Sequence, residues 1–121
     1  MILSAPRSHD LTAILELNRA NEIETAPLTR AALDSLLAMA FRARVHVSSG
    51  TANAFLVALD EGAATLSPNF AWFRARYSSF VYVDRIIVSS AVRGQGVGRA
   101  LYLDLMSAAE ASGRAMVCAE V

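Results

Sequence analysis

An α/β fold is the class this sequence predicts, and three adjacent features carry the prediction. Residues 81–88 read VYVDRIIV, in which Val81, Val83, Ile86, Ile87 and Val88 suit a strand covered on both faces. Residues 89–96 hold two glycines, an arginine and a glutamine, which is turn chemistry. From Val97 onward Leu101, Leu105, Ala108 and Ala109 recur at helical spacing, and Gly113 stands where a C′ glycine ends a helix. A strand that delivers a flexible turn onto a helix start leaves several N–H groups unpaired at one point. The partial positive charge of the helix end adds to those donors, so the point attracts phosphate.

The remaining elements follow from the N-terminus. Residues 1–6 read as a short edge strand. Ser8 is placed to cap a helix carrying Leu11, Ile14, Leu15 and Leu17 on its apolar face and running to Ala20. Residues 21–27, with Glu22 and Glu24, read as a loop. Thr29 can cap a second helix, with Leu33, Leu36, Leu37 and Ala40 along one face. Residues 44–48 and 54–59 read as two strands joined by a turn over residues 49–53. Residues 60–79 form a long connection in which Phe70, Phe73 and Tyr77 share one face of a short helix. Such a helix is either a satellite of the core or, with Trp72 and Tyr77, a wall for a substrate. Residues 114–121 read as a last strand.

Composition sets the class. The chain has 121 residues, which is one small domain, and 55% of them are hydrophobic, which argues for a packed core. Eleven arginines balance eleven acids and there is no lysine, so no basic footprint for nucleic acid is present. No apolar run reaches the roughly 18 to 20 residues needed to span a bilayer, and residues 1–10 lack the form of a signal peptide. The single cysteine, Cys118, cannot pair within the chain, which fits a reducing cytoplasm. His9 and His46 are far apart with no ligand spacing around them, so no metal is expected.

Two phosphate-binding motifs fail on these residues. A Walker loop needs Gly-Lys-Ser/Thr, and the chain has no lysine. A dinucleotide fold needs G-x-G-x-x-G with an acid about 20 positions later, whereas Gly94, Gly96 and Gly98 give G-x-G-x-G. The segment Arg93-Gly94-Gln95-Gly96-Val97-Gly98 instead fits the Q/R-x-x-G-x-G/A motif and resembles that of the GNAT superfamily of acetyl-CoA-dependent N-acetyltransferases. Ile86-Ile87-Val88 before it and Arg99-Ala100-Leu101 after it extend the resemblance over residues 80–113.

That resemblance implies a mixed, mostly antiparallel sheet flanked by helices. A complete domain of this family continues past its fifth strand with a further helix and strands, so the expectation is a single domain over residues 1–121 truncated after strand 5. An uncovered strand edge there would invite pairing with a second copy of the chain. The resemblance implies that acetyl-CoA is the co-substrate, with its diphosphate on the amides of Arg93, Gly94, Gln95, Gly96, Val97 and Gly98 and with Arg99 adding charge. The pantetheine arm would lie along Ile86, Ile87 and Val88, and the N–H of Ile86 would face the acetyl oxygen. The acceptor would be a primary amine of a small molecule or peptide, attacking directly.

Asp84, two residues before Ile86, is the candidate proton acceptor on the same face of the strand. Its alternative role is an ion pair with an arginine such as Arg85. Tyr82 is expected on that face too, as an acceptor contact. Glu22, Glu24, Trp72 and Tyr77 are the candidate acceptor-binding residues. The resemblance implies a general acid that is often a tyrosine on the helix after the fifth strand; none of Tyr77, Tyr82 and Tyr102 matches that position, and Tyr102 reads as a packing residue. The competing function is a module that binds acyl-CoA or dimerises without turnover.

Overall fold

The computed structural model describes residues 1–22, 26–65 and 67–119. Five strands form one sheet in chain order: β1 (Leu3–Ser4), β2 (Arg42–Ser48), β3 (Thr51–Asp60), β4 (Val81–Val88) and β5 (Val117–Ala119). β1 to β4 pair antiparallel, and β5 joins β4 in parallel through the crossover helix α4 (Val97–Ala111). The helices α1 (Leu11–Arg19), α2 (Arg30–Met39) and α3 (Pro68–Arg76) complete the fold. This is the mixed, mostly antiparallel sheet flanked by helices expected from the sequence.

β3 is the centre of the molecule, and its alternation sorts two cores. Phe55, Val57 and Leu59 face the helices α1, α2 and α3, with Leu11, Ile14, Leu33, Leu36 and Phe70 packed over them. Ala54, Leu56 and Ala58 face α4, which presents Val97, Leu101, Leu105 and Ala109 at intervals of one turn. Small alanines on the α4 side let that helix sit close to the sheet. Arg42 of β2 grips Asp104 of α4 through two hydrogen bonds of 2.7 and 2.9 Å, a bidentate clamp that sets the rotation of the helix.

Local chemistry explains most boundaries. The Thr29 hydroxyl accepts from Ala32 N–H at 3.1 Å and caps α2 as its sequence suggests. α4 ends in a Schellman pattern: Gly113 N–H donates to the Glu110 carbonyl and Arg114 N–H to that of Ala109. Gly113 takes the left-handed φ of +80° that this pattern needs.

Four boundaries differ from the sequence reading. β1 covers Leu3–Ser4 only. Ser8 does not cap the first helix; a short 3-10 turn, Ser8–Asp10, precedes it, and the buried Asp10 carboxylate accepts from Arg7 N–H at 2.8 Å. The β2–β3 turn is Ser49-Gly50 alone, both at positive φ, which is the geometry that matches strand twist. β5 starts at Val117, three residues after the expected start at residue 114, and residues 120–121 lie outside the described residues.

Two bulges interrupt the sheet. Asn53 is the extra residue of β3 opposite His46 and Val47, and its side chain bridges His46 and Ser48. Asp84 is the extra residue of β4, between the pairs Val57–Arg85 and Ala58–Val83. The second bulge positions the site.

Candidate active site

The Asp84 bulge reverses the alternation of β4. Before it, Val81 and Val83 face α4 while Tyr82 packs with Phe70 and Phe73 on the opposite side. After it, Ile86 and Val88 face α4 and Ile87 faces the other core. Tyr82 and Ile86 therefore lie on opposite faces of the sheet, which corrects the shared face expected from plain two-residue spacing. The bulge nevertheless brings Tyr82, Asp84 and Ile86 to one place, because all three line the same cleft.

That cleft measures about 880 Å³ and opens where β4 and β5 part company. β5 pairs with Val81, Tyr82 and Val83 of β4; among the described residues no strand lies beside residues 84–88 on that edge. Leu36 and Met39 of α2 and the start of α3 wall one side, and Tyr102 of α4 enters from the other. Tyr102 thus borders the cleft as well as packing against the α4 core.

Asp84 is held by its neighbour. Arg85 Nε donates to Asp84 Oδ2 at 2.9 Å, with both side chains largely covered. Arg85 Nη1 donates to Asn18 Oδ1 at 2.7 Å and to the Ala26 carbonyl at 3.2 Å, and Asn18 Nδ2 also donates to Ala26 at 3.0 Å. Asn18, only 1% exposed, so ties α1, the stretch before α2 and the β4 bulge together. The sequence reading missed this residue, although its signal was present: Asn18 continues the apolar row of Leu11 and Ile14 with a polar side chain.

Beyond β4 the chain passes through a 3-10 turn, Ser90–Val92, into the glycine-rich segment. Gly94 and Gly96 both have φ of +80°, and a Cβ built on either would meet nothing within 4 Å. The backbone there faces open space. Gln95 N–H makes a long bond of 3.4 Å to the Val92 carbonyl. Among the described residues the N–H groups of Arg93, Gly94, Gly96, Val97, Gly98 and Arg99 have no hydrogen-bond partner. They form a cluster of donors at the N-terminus of a 15-residue helix. Gly98 lies against Val88: a Cβ at Gly98 would stand 3.7 Å from Val88 Cγ2, which sets the helix start beside the end of β4. The Arg93 guanidinium donates to the Val88 carbonyl at 3.3 Å.

The aromatic connection takes the packing role. Phe70 and Phe80 are fully buried and pack with Phe73 and Tyr82. Trp72, 49% exposed, lies under the Arg76 guanidinium, and Tyr77 stacks on Phe73 at the surface. Neither lines the cleft; Ser67, Pro68 and Asn69 at the start of α3 do. Glu22 is exposed and outside the cleft lining, and Glu24 lies outside the described residues. Among the described residues no cluster of metal-ligating side chains occurs, and no helix is long and apolar enough to cross a membrane.

Comparison with known proteins places this geometry. The model of the acetyltransferase (GNAT) family matches residues 17–120. A search of curated proteins finds no match. A protein of Agrobacterium tumefaciens assigned as an acetyltransferase superimposes with a TM-score of 0.74 at 21% identity, covering 100% of this chain and 81% of that one. An aminoglycoside 6′-N-acetyltransferase of Acinetobacter haemolyticus gives 0.70 at 18% identity, covering 100% and 79%. The aminoglycoside N-acetyltransferase AAC(6′)-Iy, solved in complex with CoA, gives 0.71 at 14% identity, covering 99% and 78%. At these identities the solved structures speak for the fold, while the family match spans most of the chain. On that match the chain belongs to the GNAT family of acetyltransferases.

Proposed function

We propose that this acetyltransferase moves an acetyl group from acetyl-CoA to a primary amine at the cleft beside the Asp84 bulge. The observation that carries the proposal is the set of amides of Arg93, Gly94, Gly96, Val97, Gly98 and Arg99, without a partner among the described residues, at a helix start beside the end of β4. Those donors suit a diphosphate, and the glycines let it approach the main chain. From there the edge of β4 leads to the cleft, so an extended pantetheine arm would run beside Val88, Ile87 and Ile86 as an added strand. The Arg93 side chain would release the Val88 carbonyl to that arm.

The bound thioester supplies the acetyl carbon. The chain has to polarise its carbonyl, take a proton from the acceptor ammonium so that the neutral amine can attack, and see the departing thiolate protonated. The Ile86 N–H is the proposed donor to the acetyl oxygen. Asp84 is the proposed proton acceptor: Oδ2 is engaged by Arg85, and Oδ1 has no partner among the described residues. Tyr82 borders the acceptor, and Tyr102 brings a hydroxyl to the cleft from α4.

The test is turnover together with binding. Acetyl-CoA at 100 times its dissociation constant should stabilise the fold by about 2.7 kcal/mol, and free thiol should appear when an amine is added. Stabilisation without thiol release from a broad amine set would reduce the proposal to acyl-CoA binding. No stabilisation would remove the proposed cradle.

A further inference from the structure

The walls of the cleft carry information about the acceptor, given the reading of the cleft as the site of transfer. Two charged side chains line it among the described residues, Asp84 and Arg85, and they are bonded to each other. The described walls therefore present no net charge. Arg85 is turned toward α1 by Asn18 and the Ala26 carbonyl, leaving Asp84 Oδ1 as the carboxylate oxygen without a partner among the described residues. That oxygen can seat one ammonium.

Part of the lining is apolar. Leu28, Leu36 and Met39 form it, with Leu28 and Met39 packed onto the core that contains Leu36. A second ammonium placed against those three side chains would lose hydration with no second unpaired carboxylate oxygen among the described lining residues to replace it. Two helix starts border the cleft as well: Ala32 sits in the first turn of α2, and Pro68 and Asn69 in the first turn of α3. Met39 ends α2, so both ends of that helix border the cleft and its dipole does not decide. Charge and desolvation point the same way.

We infer that the acceptor is an amine with a single ammonium group on an apolar alkyl or aryl body, seated with its nitrogen at Asp84 and its body against Leu28, Leu36 and Met39. Polycationic amines are disfavoured.

The experiment measures thiol release with phenethylamine, hexylamine, spermidine and kanamycin, after a thermal shift with acetyl-CoA has been recorded. The two monoamines should exceed the two polycations in kcat/KM by about tenfold or more. Met39→Glu, which adds a carboxylate to the apolar wall, should narrow that ratio by about fivefold and leave the acetyl-CoA shift in place. Preference of the unsubstituted protein for spermidine or kanamycin overturns the inference and leaves the cofactor site standing. A thermal shift with no turnover of any of the four amines does the same. Absence of the shift overturns the site assignment and the acceptor inference with it.

Discussion

Replacing Gly96 by alanine separates the two reasons a glycine can occupy that position. Its φ is +80°, and the added methyl would meet nothing within 4 Å. The folded state therefore loses only backbone energy, about 1 to 2 kcal/mol for a left-handed alanine, offset in part by the stiffer unfolded chain. Gly113 supplies the control, because its φ is also +80° and its surroundings are equally open. Both variants should melt about 4 °C lower for each kcal/mol lost. Binding distinguishes them, since the Gly96 methyl would stand among the unpaired amides and the Gly113 methyl at the far end of α4. A tenfold loss of acetyl-CoA affinity in Gly96→Ala corresponds to about 1.4 kcal/mol. At a ligand concentration 100 times the parent dissociation constant, stabilisation should fall from about 2.7 to about 1.4 kcal/mol. Gly113→Ala should keep the full value. Differential scanning calorimetry with and without acetyl-CoA reads all four states. Equal ligand stabilisation in the two variants would refute the cradle at residues 93–99.

Other perturbations address separate parts of the molecule. Asp84→Asn should lower kcat by about 100-fold or more while leaving the KM for acetyl-CoA unchanged, as steady-state kinetics would show. Phe70→Ala empties a fully buried site in the aromatic cluster and should cost about 3 to 5 kcal/mol by denaturant unfolding. The hydrogen bond from Arg42 holds the Asp104 carboxyl below the usual carboxylate range, and Arg114 does the same for Glu61. Each carboxylate binds its proton more weakly when folded than when unfolded, so this stability is present above about pH 4 and is lost as pH falls through the lower folded value. Melting temperature should drop between about pH 5 and about pH 3, and Asp104→Asn should flatten part of that drop.

What the sequence revealed and what it hid divide along the range of the interactions. The Thr29 cap, the Gly113 terminus and the strand–turn–helix of residues 81–113 depend on neighbours within a few positions, and they stand where their chemistry placed them. The Asp84 bulge depends on how β4 registers against β3, which residue spacing in β4 alone does not contain. Plain alternation therefore put Tyr82 and Ile86 on one face, and the ladder puts them on two. Ser8 does not cap the helix because a 3-10 turn starts the element early, with Arg7 at its N-cap and the buried Asp10 carboxylate accepting from Arg7 N–H. For the helix with Trp72 and Tyr77 the sequence left satellite packing and a substrate wall both open; Phe70 and Phe73 join the aromatic core, while Trp72 is half exposed and Tyr77 stacks on Phe73 at the surface. The Arg85 pairing of Asp84 was one of two roles open at the sequence level, and the structure shows that pair while leaving an oxygen for the other.

The most direct measurement concerns the main-chain amides from Arg93 to Arg99, the proposed seat of a diphosphate beside the open edge of β4. Amide correlation spectra of the isotopically labelled protein, titrated with CoA, read that seat residue by residue. The largest shifts should fall at Gly94, Gly96, Val97, Gly98 and Arg99, with smaller ones at Ile86 and Val88. Unmoved signals at those residues, with binding reported elsewhere in the protein, would contradict the assignment.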